Sequence, residues 1–368
     1  MLLMKINKEE FLKPLQSVAG IVERRHTLPI LSNVLIQIAD QGLSFIATDL
    51  EIQITATVPN AGNQESTAIT VSAKKLQDIV RALPDSAEIS FDGKDSRLQL
   101  KAGRSQFNLQ TLPADDFPKL ALSDELVSEI VLSQATLKQL FNQVQYAMAQ
   151  QDIRYYLNGL LMILEPSVIK VVATDGHRLS MASMEAPSIE HADEAILPRK
   201  TVTELIKLLG DVDDEVRIQL GKNLVTFSFG NISLVSKVIE GKFPDYNKVI
   251  PTHYTNHVVL DRITLLRAMQ RAAILSNEKF RGVRLVLTQN SMRVICNNTE
   301  QEEAEEEIEI AYSNEPLDIG FNVTYLLDVL NNITSSDVDC SFGDPNSSCL
   351  ITVPGDDRFK YVVMPMRI

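Results

Sequence analysis

The residues with the most evident chemical potential are Asp175-Gly176-His177-Arg178, a carboxylate, an imidazole and a guanidinium within four positions. An imidazole beside a carboxylate can act as a general base when a nucleophile or second acid lies within hydrogen-bond reach. The sequence offers none in a recognisable pattern. The five histidines are scattered at 26, 177, 191, 253 and 257, and Cys296, Cys340 and Cys349 show no paired metal spacing. There is no phosphate-binding glycine loop and no His-Glu-x-x-His run. A lone histidine in an Asp-Gly turn is more often structural. No catalytic residue, metal site or cofactor is therefore expected.

The turn makes more sense as part of a repeat. It lies in VVATDGHRLSM, where a β-branched run ends at Thr174-Asp175 and a second alternating run follows. The same frame occurs at Thr48-Asp49 in LSFIATDLEIQITATV and at Asn297-Asn298 in MRVICNNTEQEEAEEEIEI, spaced by 126 and 123 residues. A fixed long period implies three similar domains, expected at residues 1–125, 126–252 and 253–368.

Each copy carries two helical stripes. The first has Phe11, Leu15 and Val18, then Leu137, Leu140, Phe141 and Val144, then Leu266, Met269 and Ala273. Pro14 predicts a kink or a late start in the first of these. The second stripe is cleaner: Leu76, Ile79, Val80 and Leu83 match Val202, Leu205, Ile206 and Leu209, and Val323, Leu326, Leu327 and Leu330. All three follow i, i+3, i+4, i+7, one face of a helix. The runs LPILSNVLIQIA, YYLNGLLMIL and KFRGVRLVLT read as strands. Helix–strands–helix–strands in each copy predicts an α+β fold with helices on one face of antiparallel sheets.

The chain has 368 residues, 45% of them hydrophobic, and a net charge of −13. No apolar run nears the roughly 18–20 residues of a membrane span, so a cytoplasmic protein without membrane contact is expected. Six helical windows carry fifteen Lys/Arg against seven Asp/Glu, a local +8, while the remainder carries −21. Solvated helix faces could account for this. A basic surface facing phosphates, with an acidic exterior, would do so as well. Twelve helices from two chains, spaced roughly 10 Å apart, would form a circle about 120 Å around. Its hole would be about 28 Å wide, enough for a duplex about 20 Å across.

TLPIL, TDLE, QDIRYYLNG, ATDGHRL, PRK, GKFPDY, RAAILSNEKFRGVRL, NNTEQEEAEE, IGFNVTYLLDVLN and the terminal YVVMPMR together resemble the bacterial DNA polymerase III β subunit family, the sliding clamps. The resemblance spans the chain from first helix to last residue. It implies a head-to-tail homodimeric ring with helices inside and sheets outside. Such a ring encircles double-stranded DNA without sequence specificity and is placed there by an ATP-dependent clamp loader. It is a non-catalytic processivity subunit that tethers the DNA polymerase III catalytic subunit, other polymerases and repair factors through a short Gln/Leu/Phe-type peptide. A monomeric three-domain peptide-binding scaffold that does not encircle DNA is the rival reading.

The resemblance also implies site residues. A partner-peptide cleft would comprise Arg154, Leu157, Thr174, Gly176, His177, Arg178, Leu179, Pro244, Lys248 and Val249. Tyr325, Ser348, Val362, Val363, Met364, Pro365, Met366 and Arg367 would complete it. Lys248 stands where many relatives have Arg. Two methionines flanking Pro365 suit a surface that accepts differing apolar side chains, and His177, Arg178 and Arg367 would hold a partner's polar atoms. Arg25, Lys74, Gln151, Tyr155 and Tyr156 would touch DNA. Seven glutamates between Glu300 and Glu309 face a basic stretch of the first copy in charge terms, so opposed edges could close a heterologous interface. Lys75, Arg104, Phe107, Ile274, Leu275, Glu300, Glu303 and Glu306 would build it. Gln106 replaces a basic residue common there and removes one ion pair.

Overall fold

The computed structural model describes residues 2–23, 28–39, 42–59, 66–94, 96–120, 126–186 and 192–367. Its helices recur at matching places in the three copies: α1 (Lys8–Ala19) and α2 (Ala73–Ala82), α3 (Gln134–Val144) and α4 (Arg199–Leu208), α5 (Arg262–Ala272) and α6 (Val323–Asn332). The striped residues are the ones buried. Leu137, Leu140, Phe141 and Val144 are fully buried, as are Leu76 and Val80. In the first copy Phe11 stacks on Phe91 at 4.7 Å and meets Phe45 edge-on at 4.9 Å.

The chain forms two compact units, Met1–Thr136 with Thr203–Val238, and Leu137–Val202 with Ile239–Ile368. The middle copy is thus shared, with residues 126–136 and 203–238 in the first unit and 137–202 and 239–252 in the second. The first unit holds a twelve-stranded antiparallel sheet in which Ile52–Pro59 of copy one pairs with Ile232–Lys237 of copy two. The second unit holds an eight-stranded sheet, in which Arg178–Glu185 of copy two pairs with Asp356–Val363 of copy three, and a four-stranded sheet. The four-stranded sheet ends on Glu303–Glu309, which among the described residues pairs only with Ser291–Asn297.

The corner frame is a side-chain-capped turn in all three copies. Asp49 Oδ1 accepts from the Glu51 and Ile52 amides at 2.9 and 2.8 Å. Asp175 Oδ1 accepts from His177 and Arg178 at 2.9 and 3.0 Å, and Asn298 Oδ1 from Glu300 and Glu302 at 2.9 and 3.0 Å. Asp and Asn do this because their short polar side chains reach amides two residues on. The carboxylate that suggested catalysis is therefore engaged in shaping a turn.

A second device is also repeated with different chemistry. The first residue of each copy's first helix ties down the C-terminal end of its second helix, where carbonyls lack intrahelical partners. Buried Lys8 donates to the Arg81 and Leu83 carbonyls, and Arg262 to those of Leu330 and Ser335 at 2.8 Å. Gln134 works in reverse, accepting from the Gly210 amide at 2.9 Å. The helices carry twelve Lys/Arg against five Asp/Glu. Lys8 and Arg262 belong to that excess yet act inside the fold.

Three sequence expectations shift. The first helix begins at Lys8 and runs through Pro14, so the start is not late. Pro29–Ser32 and Tyr155–Leu157 are single 3-10 turns, and the strands start after them at Asn33 and Gly159. Pro29 presets the first of these turns with its fixed φ. Tyr155 and Tyr156 therefore do not alternate along a strand.

Candidate functional site

The pairing of Arg178–Glu185 with Asp356–Val363 sets Leu179 opposite Val362. Both are buried in one cluster with Leu157, Leu161, Val172 and Phe243. Side chains alternate across a strand, so Val363 belongs to the opposite face from Val362. Above the pair opens a groove of about 160 Å³ lined by Arg154, Leu157, Thr174, Gly176, Arg178, Leu179, Pro244, Val249, Val362 and Met364. The floor is apolar, and Met364 stands 42% exposed as one wall. The Met364 amide donates to the His177 carbonyl at 2.9 Å, which fixes that wall.

Gly176 has φ +88°, and a Cβ there would lie 2.9 Å from the Arg154 guanidinium nitrogens. Glycine is needed both for the left-handed turn and for the space. Arg154 is held bidentately by Asp152 at 3.0 and 2.8 Å and reaches the Asp175 carbonyl at 3.2 Å. Hydrogen bonds from the Arg154 side chain and amide lower the Asp152 pKa to about 2.

Arg178 lines the groove, and its guanidinium is already engaged within the fold. Its side chain is 10% exposed, pairs with Asp175 at 3.1 Å and Asp328 at 2.6 Å, and donates to the Tyr146 carbonyl. The Tyr325 ring lies 4.4 Å beneath its guanidinium. A cation in this position must be paired internally or pay its desolvation unrewarded. Burial opposes its charge, but Tyr361, Asp328 and Asp175 hold its pKa above the ordinary value. Arg178 is a strut under the groove. Nothing in the sequence marked Asp328 as its partner across 150 positions.

Of the remaining cleft residues, His177 is exposed on the turn and Lys248 pairs with Asp245 at 3.2 Å. Tyr325 and Ser348 are half-buried outside the groove lining, as is Pro365. Val363 is fully buried. Met366 and Arg367 line a different pocket.

Among the nucleic-acid candidates, Arg25 lies outside the described residues. Lys74 is exposed in the first turn of α2, in the first unit. In the second unit Gln151 has φ 56° and is exposed. Tyr155 is 58% exposed and packs edge-on against Tyr156 at 5.8 Å. Between them Ile153 is 97% exposed, a projecting apolar side chain that sequence reading passed over.

The interface candidates are divided between the two units. In the first unit Lys75 and Arg104 are exposed and Phe107 half-buried on Ser105–Leu112. In the second, Ile274 is 78% exposed beside half-buried Leu275. Glu300 and Glu303 are exposed, while Glu306 is already held bidentately by Arg271 at 2.8 and 2.6 Å.

Three repeats whose sheets run across copy boundaries, with an apolar groove at one such junction, define a clamp-type α+β architecture. The family models for the DNA polymerase III beta subunit match its N-terminal domain at residues 2–121, central domain at 131–245 and C-terminal domain at 247–367. The beta sliding clamp of Pseudomonas putida is 47% identical over 365 residues, and that of Escherichia coli K12 45%, each match covering 99% of both chains. A solved Pseudomonas aeruginosa DNA polymerase sliding clamp with ligand has a TM-score of 0.95 at 44% identity over 100% of both chains. The chain belongs to the DNA polymerase III beta subunit family.

Proposed function

We propose that the chain is a DNA sliding clamp: a non-catalytic processivity subunit whose two copies close head to tail around duplex DNA and tether DNA polymerase III and other replication and repair factors. Its domains are read at 1–125, 126–252 and 253–368. An ATP-dependent loader would open the ring, and partners would dock a short peptide in the Leu179–Val362 groove.

One observation carries the ring. Twice the strand after a corner pairs antiparallel with the last strand of the next copy: Ile54 faces Leu234, and Ser180 faces Tyr361. The third such strand, Glu303–Glu309, and the matching strand of copy one over Ser105–Gln110 leave an edge unpaired among the described residues, while Thr111 and Leu112 pair with Val71 and Thr70. The capped corners align Ile52, Arg178 and Glu302, and the hairpin glycines Gly103 and Gly230 align the partner strands. Repeating the first junction's register between two copies would set Ala304 opposite Phe107, Glu303 opposite Asn108 and Glu306 opposite Ser105. Arg104 would then join the Arg271–Glu306 pair. Gln106 would face Glu305, which Arg293 already approaches at 3.3 Å, so the replacement of a basic residue there is tolerable.

Such a heterologous contact closes or forms a filament according to its rotation. Two copies with six helices each suit a duplex-sized hole. Protein loaded by a clamp loader on nicked circular DNA should remain through moderate salt and escape when the circle is cut. Plain phosphate contacts would weaken with salt on either substrate. Equal retention on linear DNA with open ends would overturn the reading.

A further inference from the structure

The backbone and the side chain of Asn158 serve different ends. Its carbonyl accepts from the Arg199 amide at 3.0 Å, at the start of α4, and its own amide donates to the Tyr155 carbonyl at 3.0 Å. Copy three repeats the first of these contacts with another residue. There the Arg281 carbonyl, 123 positions on, accepts from the Val323 amide at 2.7 Å at the start of α6. Copy one has Ser32 at this place, 126 positions earlier. The fold therefore needs a carbonyl here, which any residue supplies, and does not need a carboxamide.

In copy two the carboxamide is fully engaged. Its oxygen accepts from the Asp152 amide at 2.9 Å, and its Nδ2 donates to the Asp152 carbonyl at 2.9 Å. One side chain thus holds both backbone groups of a residue six positions away. The preceding residue, Gln151, has φ 56°, a conformation that a residue with a Cβ keeps only where its surroundings fix it. Held in this way, Asp152 turns its carboxylate to Arg154. It accepts from the Arg154 amide at 2.8 Å and from Nε and Nη2 at 3.0 and 2.8 Å. Arg154 then reaches the Asp175 carbonyl at 3.2 Å and lines one side of the groove.

We propose that Asn158 is a positioning residue for partner binding: its carboxamide fixes the Asp152 backbone, and through Asp152 it holds Arg154 as a wall of the groove. The proposal rests on the cleft reading above. Asparagine suits the task because a carboxamide presents an acceptor and a donor side by side. Aspartate would keep the acceptor but set a charge against the Asp152 carbonyl, and serine is too short to span both groups. The clasp orders Arg154 before a partner arrives, so the entropy cost of fixing a long side chain is not met at binding.

The test uses the full-length protein with Asn158→Ser, Arg154→Ala and the two combined. Carbon-detected NMR should place the Asp152 carboxyl midpoint near 2 in the parent and move it up toward the value of about 3.9 for a free aspartate in Asn158→Ser. Fluorescence anisotropy with labelled Gln-Leu-Ser-Leu-Phe should show each single variant binding at least fivefold more weakly. The double variant should match Arg154→Ala within twofold, because Asn158 acts through Arg154. An asparagine that only stabilises the fold would add its loss to that of Arg154→Ala and leave the carboxyl midpoint where it was. An unmoved midpoint, additive losses, or parental affinity in Arg154→Ala would each overturn the proposal. Should Asn158→Ser fail to fold, the near-isosteric Asn158→Asp carries the same readings. Failure of the parent to bind the peptide would instead refute the cleft reading, with the carboxyl titration still testing the clasp.

Discussion

Copies one and two place the same elements around the same corner, and the groove described above lies at the second. In copy two Leu161, Val172 and Phe243 form an apolar cluster that Leu179 and Val362 extend to the surface. Copy one repeats it with Leu35, Ile46 and Phe117, each 126 positions earlier. The position of Leu179 is there Gln53, whose side-chain oxygen accepts from the Leu120 amide at 2.9 Å and draws the closing segment across. The position of Arg178 is Ile52, buried without charge. One polar residue seals the first copy with its own backbone. One apolar residue over a buried ion pair leaves the second ready for a foreign chain.

The strut offers the largest expected effect. Arg178→Ala leaves Asp175 and Asp328 without their cation, and breaking a buried pair from one side costs about 3–5 kcal/mol. Asp328 is 34% exposed, so the low end applies. At the matching position Ile52→Val should cost only about 1 kcal/mol. Urea midpoints followed by circular dichroism compare the two, and equal shifts would remove the distinction between a charged and an apolar junction.

Converting one copy's solution into the other's sharpens the comparison at the groove. Leu179→Gln exchanges the floor for the first copy's polar residue and forfeits about 1.5–3 kcal/mol of apolar burial by a partner side chain. Affinity for Gln-Leu-Ser-Leu-Phe should fall tenfold or more. Deleting Met364–Ile368 should abolish binding while two chains remain associated. Unchanged affinity in either variant puts the docking site elsewhere.

Much of this was legible in the sequence, and for a physical reason. Repetition exposes itself through helix stripes and Asx corners because both are local, with partners within seven residues. Arg178–Asp328, Lys8 with the end of α2 and Gln53–Leu120 are not, since each joins residues at least 67 apart with no periodic signature. The tight turns before Asn33 and Gly159 hid inside apolar runs that read equally as strand.

At the proposed subunit edge the effect is smaller. Ile274→Ala with Leu275→Ala removes apolar area from only one side of the contact, and the strand pairing remains. Light scattering at micromolar concentration should report two chains for the parent and a shift toward one for the double variant. A monomeric parent would break the parallel between the two internal junctions and the external one.

The least effect is expected at the groove's rim, under acid. Asp152 is held low by the hydrogen bonds from Arg154, with a folded value of about 2, against about 3.9 for a free aspartate. A folded pKa below the unfolded one contributes stability that is complete above the unfolded value and is lost as pH falls through the folded one. Between pH 8 and 5 the clasp on Arg154 should therefore stay unchanged, and peptide affinity should not follow the titration of this carboxyl. It should loosen only between about pH 4 and 2. Copy three has Asn277 at the position of Arg154, so that copy lacks this acid-sensitive clasp. Carbon-detected NMR of the Asp152 carboxyl should find a midpoint near 2. A midpoint near 4 would mean that Arg154 is free in solution to reach a partner, and the rim would then be an adaptable arm in place of a fixed wall.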